Sequence, residues 1–123
     1  MTDHELYQRA VAVSERAYAP YSNYNVGAVV LARDGEVIEG VNVENAAYPL
    51  GICAERTALS GAIVRGYRPG DIEAIGITAS PCGGCRQWLY EFKIDRVTFR
   101  NDAGDVVTYT PAQLLPDTWN LPA

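Results

Sequence analysis

The spacing of hydrophobic residues changes several times along the chain, and each change predicts a new element. Within residues 3–19, apolar side chains recur at intervals of three and four, which predicts an amphipathic helix that ends at Pro20. Residues 26–32 and 37–43 are β-rich, and the Asp34-Gly35 pair between them predicts a hairpin. This part of the chain is therefore expected to fold as a helix followed by two antiparallel strands.

The rest of the chain alternates between helical and strand-like segments. The pattern predicts a helix over 53–64, a buried strand over 72–79, a helix from Pro81 to about residue 92, strands over 96–100 and 106–109, and a short helix or turn from Pro111. This order is typical of an α/β fold in which one mixed sheet is covered by helices on both faces. We expect a parallel crossover to join the hairpin to the strand over 72–79 through the helix over 53–64.

Composition limits the size and the partners of this protein. The chain has 123 residues, of which 48% are hydrophobic and 20% are charged, so we expect one folded domain over residues 1–123. There are 15 acidic and 10 basic residues, and the net charge of −5 argues against binding to a nucleic-acid backbone. The sequence shows neither a secretory signal nor an apolar run that suits a membrane, which favours a cytoplasmic location.

Cysteine is the residue type that points to chemistry. The three cysteines are Cys53, Cys82 and Cys85, an odd number that cannot pair completely as disulfides, and thiols in the cytoplasm stay reduced. Cys82 and Cys85 are three residues apart at the start of a predicted helix, where they share one helix face, and Cys53 starts another helix. Because helix N-termini favour thiolates, we predict that the three sulfurs bind one metal ion.

A site with three protein ligands has the ligand count of a catalytic zinc. A structural zinc takes all four ligands from the protein, whereas a catalytic zinc keeps one position for water. The chain has no fourth cysteine, and its one histidine, His4, lies near the N-terminus. Glu55 follows Cys53 by two residues, and its carboxylate is predicted to carry a proton from that water to the substrate. Arg56 comes next and is predicted to offset the excess negative charge of three thiolates around Zn²⁺.

The same residues also permit other interpretations. Cys82 and Cys85 alone are compatible with a thioredoxin-like redox pair, which leaves Cys53 without a role. A structural zinc shared between subunits is compatible with all three cysteines but leaves Glu55 unexplained. The alternative from a different functional class is an oligomeric binding module that zinc stabilises and that catalyses no reaction.

Longer strings around these residues resemble a known family. From about Glu5 to Pro116, the order and spacing of four segments are similar to those of the small homotetrameric zinc-dependent cytidine deaminases of pyrimidine salvage. The segments are YSNYNVGA at 21–28, NVENA at 42–46, CAERT at 53–57 and PCGGCRQ at 81–87. The last two contain the ligand-x-Glu and Pro-Cys-x-x-Cys signature of zinc deaminases, in its version with three cysteines.

The resemblance implies a fold, an activity and an assembly. The fold is a three-layer α/β/α protein with a five-stranded mixed sheet, and the assembly is a homotetramer with one zinc ion per subunit. The activity is hydrolytic deamination of cytidine and 2′-deoxycytidine to uridine and 2′-deoxyuridine, with release of ammonia. A related deaminase of modified cytosine nucleosides is the alternative within this class.

The resemblance also assigns roles to particular residues. The metal ligands and the proton shuttle are Cys53, Cys82, Cys85 and Glu55. The substrate-binding residues are Tyr24, Asn42, Glu44 and Ala54. Asn42 and Glu44 are expected to hydrogen-bond ribose hydroxyls, which favours an ordinary nucleoside as substrate. Ala46 and Tyr48 are expected to approach the site of a neighbouring subunit.

Two positions depart from the family pattern. Pro49 replaces a residue that is often glycine in the loop before the helix over 53–64, and it is expected to stiffen that loop. Trp119 is the nearest candidate for the C-terminal aromatic residue, usually phenylalanine, that covers the site in many members. The loose spacing of the tail leaves Trp119 outside the predicted site.

Overall fold

Residues 1–120, the part of the chain that this computed structural model describes, form five strands and four helices. The helices are α1 (Asp3–Ser14), α2 (Ala54–Val64), α3 (Gly83–Glu91) and α4 (Pro111–Leu114). The strands are β1 (Gly27–Ala32), β2 (Val37–Val41), β3 (Ile72–Ile77), β4 (Arg96–Arg100) and β5 (Val106–Tyr109). A 3₁₀ helix, Tyr48–Leu50, lies between β2 and α2. The predicted order of elements is confirmed.

The five strands form one mixed sheet in the order β2-β1-β3-β4-β5. β1 pairs antiparallel with both β2 and β3, β3 pairs parallel with β4, and β4 pairs antiparallel with β5. The predicted crossover through α2 therefore exists, because β2 and β3 run in the same direction. However, β1 lies between them, so the parallel strands that are hydrogen-bonded to each other are β3 and β4, which α3 connects.

Helices cover both faces of this sheet, which gives the predicted α/β/α arrangement of three layers. α1 packs on one face, where Leu6 and Ala10 meet Val29 and Leu31 of β1. α2 and α3 pack on the other face through a second cluster that includes Leu59. Because both faces are covered, all six residues of β1 are buried, and its sequence is continuously apolar. None of the helices within residues 1–120 reaches the length and apolar content of a membrane-spanning segment.

The prediction was wrong about the end of the first helix. α1 ends at Ser14, whereas the periodicity of the sequence extends to Ala19. Beyond the helix, the Tyr18 N–H donates to the carbonyl of Asn42 at 3.1 Å, and the Glu44 N–H donates to the carbonyl of Tyr18 at 2.8 Å. The partners of Tyr18 are distant in sequence, so local periodicity carries no signal of this extended bridge.

A glycine in β2 sets how closely α2 approaches the sheet. A Cβ at Gly40 would overlap the backbone of Ala54 and Ala58, both of which are fully buried. Without that Cβ, the first turn of α2 rests directly on the strand. This contact holds the start of α2, and therefore Cys53, at a defined place beside the sheet.

Candidate metal centre and active site

The three cysteine sulfurs meet where two helices begin. Cys53 is the capping residue at the N-terminus of α2, and Cys82 has the same position on α3. Cys85 lies in the first turn of α3, and its backbone N–H donates to Cys82 Sγ at 3.4 Å. The Sγ atoms of Cys53 and Cys82 are 4.0 Å apart, and all three sulfurs lie within 4.8 Å of one another. We call these three atoms the sulfur cluster.

The sulfur cluster fits a zinc ion. A tetrahedral zinc with Zn–S bonds of about 2.3 Å separates its sulfur ligands by about 3.8 Å, close to the spacing of these cysteines. The N–H groups at the starts of α2 and α3 add partial positive charge, which favours the thiolate form that zinc binds. Three cysteines supply three of four tetrahedral positions, so the predicted zinc site with one free position is compatible with the geometry.

Contact between the cysteines also changes the acidity of their thiols. A hydrogen bond with Cys85 lowers the pKa of Cys53 to about 6, and the charge of Arg56 acts in the same direction. The hydrogen bond with Cys53 and burial raise the pKa of Cys85. One thiolate therefore forms easily near neutral pH, and binding of a cation compensates the charge of the others.

Glu55 is a buried carboxyl group beside the sulfur cluster. It lies in the first turn of α2 and is 4% exposed. Burial raises the pKa of Glu55, and the negative charge of Cys53 raises it further. A carboxyl group with a raised pKa can hold a proton and release it near neutral pH, which is the property that general acid–base catalysis requires.

Arg56 directs positive charge towards the cysteines. Burial opposes its charged form, but the contact with Cys85 and the charges of the other two cysteines raise the pKa of Arg56 above its usual value. The guanidinium lies over Gly84 in α3, where a Cβ would overlap Arg56 Nη2. The Nε atom of Arg56 is buried without a hydrogen-bond partner among the described residues. Charge compensation by Arg56 stays a prediction, and the proximity of its guanidinium to the cysteines makes it possible.

A cavity of about 580 Å³ opens next to Cys53, and Asn42 and Glu44 both line it. The Asn42 side chain accepts a hydrogen bond from the Val26 N–H at 2.8 Å and donates one to the Tyr24 carbonyl at 2.9 Å. The Oδ1 atom can accept two hydrogen bonds and the Nδ2 atom can donate two, and one of each is used here. Asn42 therefore keeps one donor and one acceptor position for a ligand.

Glu44 holds the loop that contains Tyr21 and Ser22, two residues that also line the cavity. Its Oε1 atom accepts hydrogen bonds from the backbone N–H groups of Tyr21 and Ser22, at 3.0 and 3.1 Å. Its Oε2 atom accepts a short hydrogen bond from the Ser22 hydroxyl. The hydrogen bonds from Ser22 lower the pKa of Glu44, so its side chain is a carboxylate at neutral pH.

The other predicted substrate and interface residues differ in how accessible they are. Ala46 and Tyr48 line the same cavity, and Tyr48 is 91% exposed. Tyr24 is exposed but does not line the cavity. Ala54 is fully buried at its contact with Gly40, so its side chain offers no surface to a substrate. The prediction of a substrate contact at Ala54 is thus limited to the backbone at the start of α2.

The two positions that depart from the family pattern lie in different surroundings. Pro49 is within the exposed 3₁₀ helix, where its fixed backbone angle suits the first turn. Trp119 lies beside α3, where its carbonyl accepts a hydrogen bond from the Gln87 side chain at 3.1 Å. Trp119 does not line the cavity next to Cys53.

Two residues at this site were missed by the sequence reasoning. Ser22 contacts Glu44, and Gly84 admits the guanidinium of Arg56. The sequence signal of Ser22 is that of an ordinary turn residue, and Gly84 appears in the sequence analysis only as part of the PCGGCRQ segment. Both roles depend on partners more than twenty residues away, so no local pattern identifies them.

Comparison with known proteins places this fold and site in one class. Residues 1–101 match the family described as the cytidine and deoxycytidylate deaminase zinc-binding region. The cluster of three cysteines on this fold defines a zinc-binding hydrolytic deaminase. The chain belongs to the cytidine and deoxycytidylate deaminase family, as its sequence motifs predicted.

Individual relatives cover almost the whole chain. The cytidine deaminase of Halalkalibacterium halodurans is 44% identical over 119 residues, which span 90% of this chain and 89% of that protein. The crystal structure of cytidine deaminase from Burkholderia pseudomallei has a TM-score of 0.89 and 46% identity, and it covers 97% of this chain and 100% of that one. For cytidine deaminase from Mycobacterium leprae, the TM-score is 0.80 at 38% identity, with 95% and 99% covered. The predicted α/β/α fold with a five-stranded mixed sheet is therefore confirmed.

Proposed function

We propose that this protein catalyses the hydrolytic deamination of cytidine and 2′-deoxycytidine to uridine and 2′-deoxyuridine, with release of ammonia. The observation that carries the proposal is the sulfur cluster with the buried Glu55 beside it, at the edge of a cavity that two sugar-binding candidates line. A site built only for structure has no use for a buried carboxyl group next to an open metal position. The names of the relatives support cytidine as the substrate.

The proposed mechanism divides the work between metal and carboxylate. Cys53, Cys82 and Cys85 would hold one zinc ion per chain, which would supply a Lewis acid that can activate water near neutral pH. Glu55 accepts a proton from the attacking water and donates it to N3 of the cytosine ring. Once the water oxygen is bonded to C4, Glu55 moves the second proton of that oxygen to the C4 amino group, which leaves as ammonia while a carbonyl forms at C4. Arg56 keeps the charge of the site close to neutral throughout.

The polar groups in the cavity support both the ribose and the deoxyribose substrate. Glu44 has about four acceptor positions and uses three of them within the protein, so one remains. Asn42 has one free donor hydrogen on Nδ2 and one free acceptor position on Oδ1. The Glu44 acceptor and the Asn42 donor together suit a single hydroxyl group, which can donate to Glu44 and accept from Asn42. We assign that hydroxyl to the 3′ position, which both sugars share, so loss of the 2′-hydroxyl is tolerated.

The charge of the cavity supports a nucleoside rather than a nucleotide. Among the described residues that line it, Glu44 carries a carboxylate, and neither lysine nor arginine is present. A phosphate group is bound by cationic side chains or by converging N–H groups, and a carboxylate repels it. The proposed substrate therefore lacks a 5′-phosphate, although the family as a whole includes deoxycytidylate deaminases.

We also propose that the active form is a homotetramer of single-domain chains in the cytoplasm. Around the cavity, Tyr21, Tyr48, Leu50 and Ile52 expose between 48% and 91% of their surface. Several large exposed apolar side chains around one cavity are typical of protein interfaces. Ala46 and Tyr48 would then meet a neighbouring chain. The three free cysteines support the proposed location, because a reducing compartment keeps their thiols available to a metal.

The proposal is tested by metal analysis together with the ultraviolet absorbance change of cytidine on deamination. We expect one zinc ion per chain and turnover of cytidine and 2′-deoxycytidine, with much weaker turnover of deoxycytidine 5′-monophosphate. A chelator should abolish turnover, and added zinc should restore it. Stoichiometric zinc without deamination of any cytosine nucleoside would instead assign the protein to the binding modules and refute the proposed activity.

A further inference from the structure

We propose that Ser22 is a positioning residue for the sugar of the substrate, because its hydroxyl orients the Glu44 carboxylate. The inference rests on the proposed function and adds a residue to which neither the sequence motifs nor the comparisons assign a role. Ser22 is exposed and lies in the loop between α1 and β1. It lines the cavity together with Glu44, from which it is separated by more than twenty residues of sequence.

Ser22 contacts both oxygens of the Glu44 carboxylate. The backbone N–H of Ser22 donates to Oε1 at 3.1 Å, and its hydroxyl donates to Oε2. The Tyr21 N–H adds a second hydrogen bond to Oε1 at 3.0 Å. The carboxylate is therefore fixed at both ends, which determines the direction of the acceptor position left on Oε2.

The hydroxyl of Ser22 also connects the carboxylate to the neighbouring loop. While it donates to Glu44, it accepts a hydrogen bond from the Tyr24 N–H at 3.0 Å. Asn23, which lies between Ser22 and Tyr24, has a φ of 57°, and this turns the chain back so that the Tyr24 N–H reaches the Ser22 hydroxyl. A single hydroxyl thus holds the sugar-binding carboxylate and the backbone of Tyr24, the residue expected to flank the nucleoside.

Removal of this hydroxyl should affect substrate binding rather than the chemical step. Without it, Oε1 keeps both backbone hydrogen bonds, but Oε2 loses the one that defines its direction. The remaining acceptor position is then no longer held towards the 3′-hydroxyl of the substrate. Because hydrogen bonds to charged groups are stronger than neutral ones, we expect the Michaelis constant for cytidine to rise about tenfold. Glu55 and the cysteines lie outside this network, so kcat should stay within about twofold.

The experiment compares Ser22→Ala, the conservative variant Ser22→Thr and the control Ser60→Ala, whose serine is exposed on α2. Each is assayed with cytidine and with 3′-deoxycytidine, which lacks the hydroxyl assigned to Glu44. We expect Ser22→Ala to raise KM for cytidine about tenfold and to change KM for 3′-deoxycytidine less than about twofold. Ser22→Thr retains the hydroxyl and should restore most of the affinity, and Ser60→Ala should behave as the wild type. Calorimetric titration with uridine provides the same comparison without turnover.

The outcomes separate this inference from the proposed function. A wild-type protein that binds uridine but does not deaminate cytidine refutes the function, while the titrations still test Ser22. Equal affinity of Ser22→Ala and wild type for uridine overturns the role of Ser22 alone. If Ser22→Ala raises KM equally for both nucleosides, or lowers kcat together with thermal stability, the hydroxyl stabilises the loop instead. Either result would also overturn the positioning role of Ser22.

Discussion

Glu55 combines deep burial with a position in the first turn of α2, next to the sulfur cluster. A carboxyl group that is 4% exposed loses most of its hydration, and burial accordingly raises its pKa. The sequence reasoning identified Glu55 from its distance to Cys53, but an exposed helix residue has the same spacing. Burial distinguishes Glu55 from such a residue, since the carboxyl group of an ordinary exposed helix residue would remain in water.

We predict that Glu55→Gln abolishes proton transfer without loss of the metal site. Glutamine has nearly the same shape, so the fold and the zinc content should persist, while kcat falls by about a thousandfold. Zinc analysis, thermal denaturation and the cytidine assay measure the three quantities. The control is Glu91→Gln, an exposed glutamate at the end of α3, which should keep wild-type turnover. Substantial activity in Glu55→Gln would contradict the role assigned to this carboxylate.

Gly84 is the position where a small change tests the role of Arg56. In Gly84→Ala the new methyl group would overlap Arg56 Nη2, and the flexible end of the arginine would move away from the cysteines. We expect thermal stability close to wild type but a loss of about tenfold in zinc affinity or kcat/KM, because supporting residues of a metal site contribute about that much. Chelator competition and the cytidine assay measure both.

Gly83→Ala provides the matched control for this prediction. No atom lies within 4 Å of a Cβ added there, so the substitution adds the same methyl group one residue earlier without touching Arg56. Its zinc affinity and turnover should equal those of the wild type. If both alanine variants behave alike, the guanidinium does not contribute to the metal site in the way that we infer.

At the scale of elements, the contact between α2 and β2 determines where the site is built. In Gly40→Ala the methyl group would meet the backbone of Ala54 and Ala58, which cannot move without shifting the helix. We expect a loss of about 1–3 kcal/mol in the free energy of unfolding, together with weaker zinc binding, because Cys53 precedes the displaced turn. Denaturant titration and zinc affinity measure the effect.

The control at this scale is Gly51→Ala. A Cβ there would lie 3.6 Å from the Val43 carbonyl oxygen, an ordinary contact distance, so stability should stay close to wild type. A Gly40→Ala variant as stable as this control would show that α2 does not depend on close approach to the strand.

Most elements were predictable from the sequence because their signals are local. The hairpin follows from Asp34-Gly35 between two apolar runs, and the starts of α2 and α3 coincide with the predicted helix starts within a residue or two. The end of α1 was not predictable, because the hydrogen bonds of Tyr18 with residues 42 and 44 replace the helical ones. Where a distant partner competes with local propensity, periodicity overestimates the length of a helix.

At the scale of the whole molecule, the exposed apolar surface around the cavity predicts assembly. In Tyr48→Ser the most exposed of these apolar side chains is removed from the proposed interface. We expect the wild type to have four times the mass of one chain in solution, and the variant to form smaller species with lower activity per chain. Light scattering and activity measured over a range of protein concentrations provide the test.

The control for the assembly is Val64→Ser. Val64 is also highly exposed, at 87%, but it lies at the far end of α2 from the cavity. This variant should keep the mass and activity of the wild type. A monomeric wild type, or a tetramer of Tyr48→Ser with full activity, would contradict the proposed interface.

The residues to which we assign the chemistry could be proposed from the sequence, whereas their arrangement depends on contacts between distant segments. Three cysteines, Glu55 and the helix starts that hold them are local features, and the family motifs around them are contiguous strings. In contrast, the meeting of Cys53 with Cys82, the burial of Glu55 and the bond between Ser22 and Glu44 arise only when the folded sheet brings these segments together. The physical reason is that a hydrogen bond, a clash or a desolvated charge depends on distance in space, and a linear pattern records only distance along the chain.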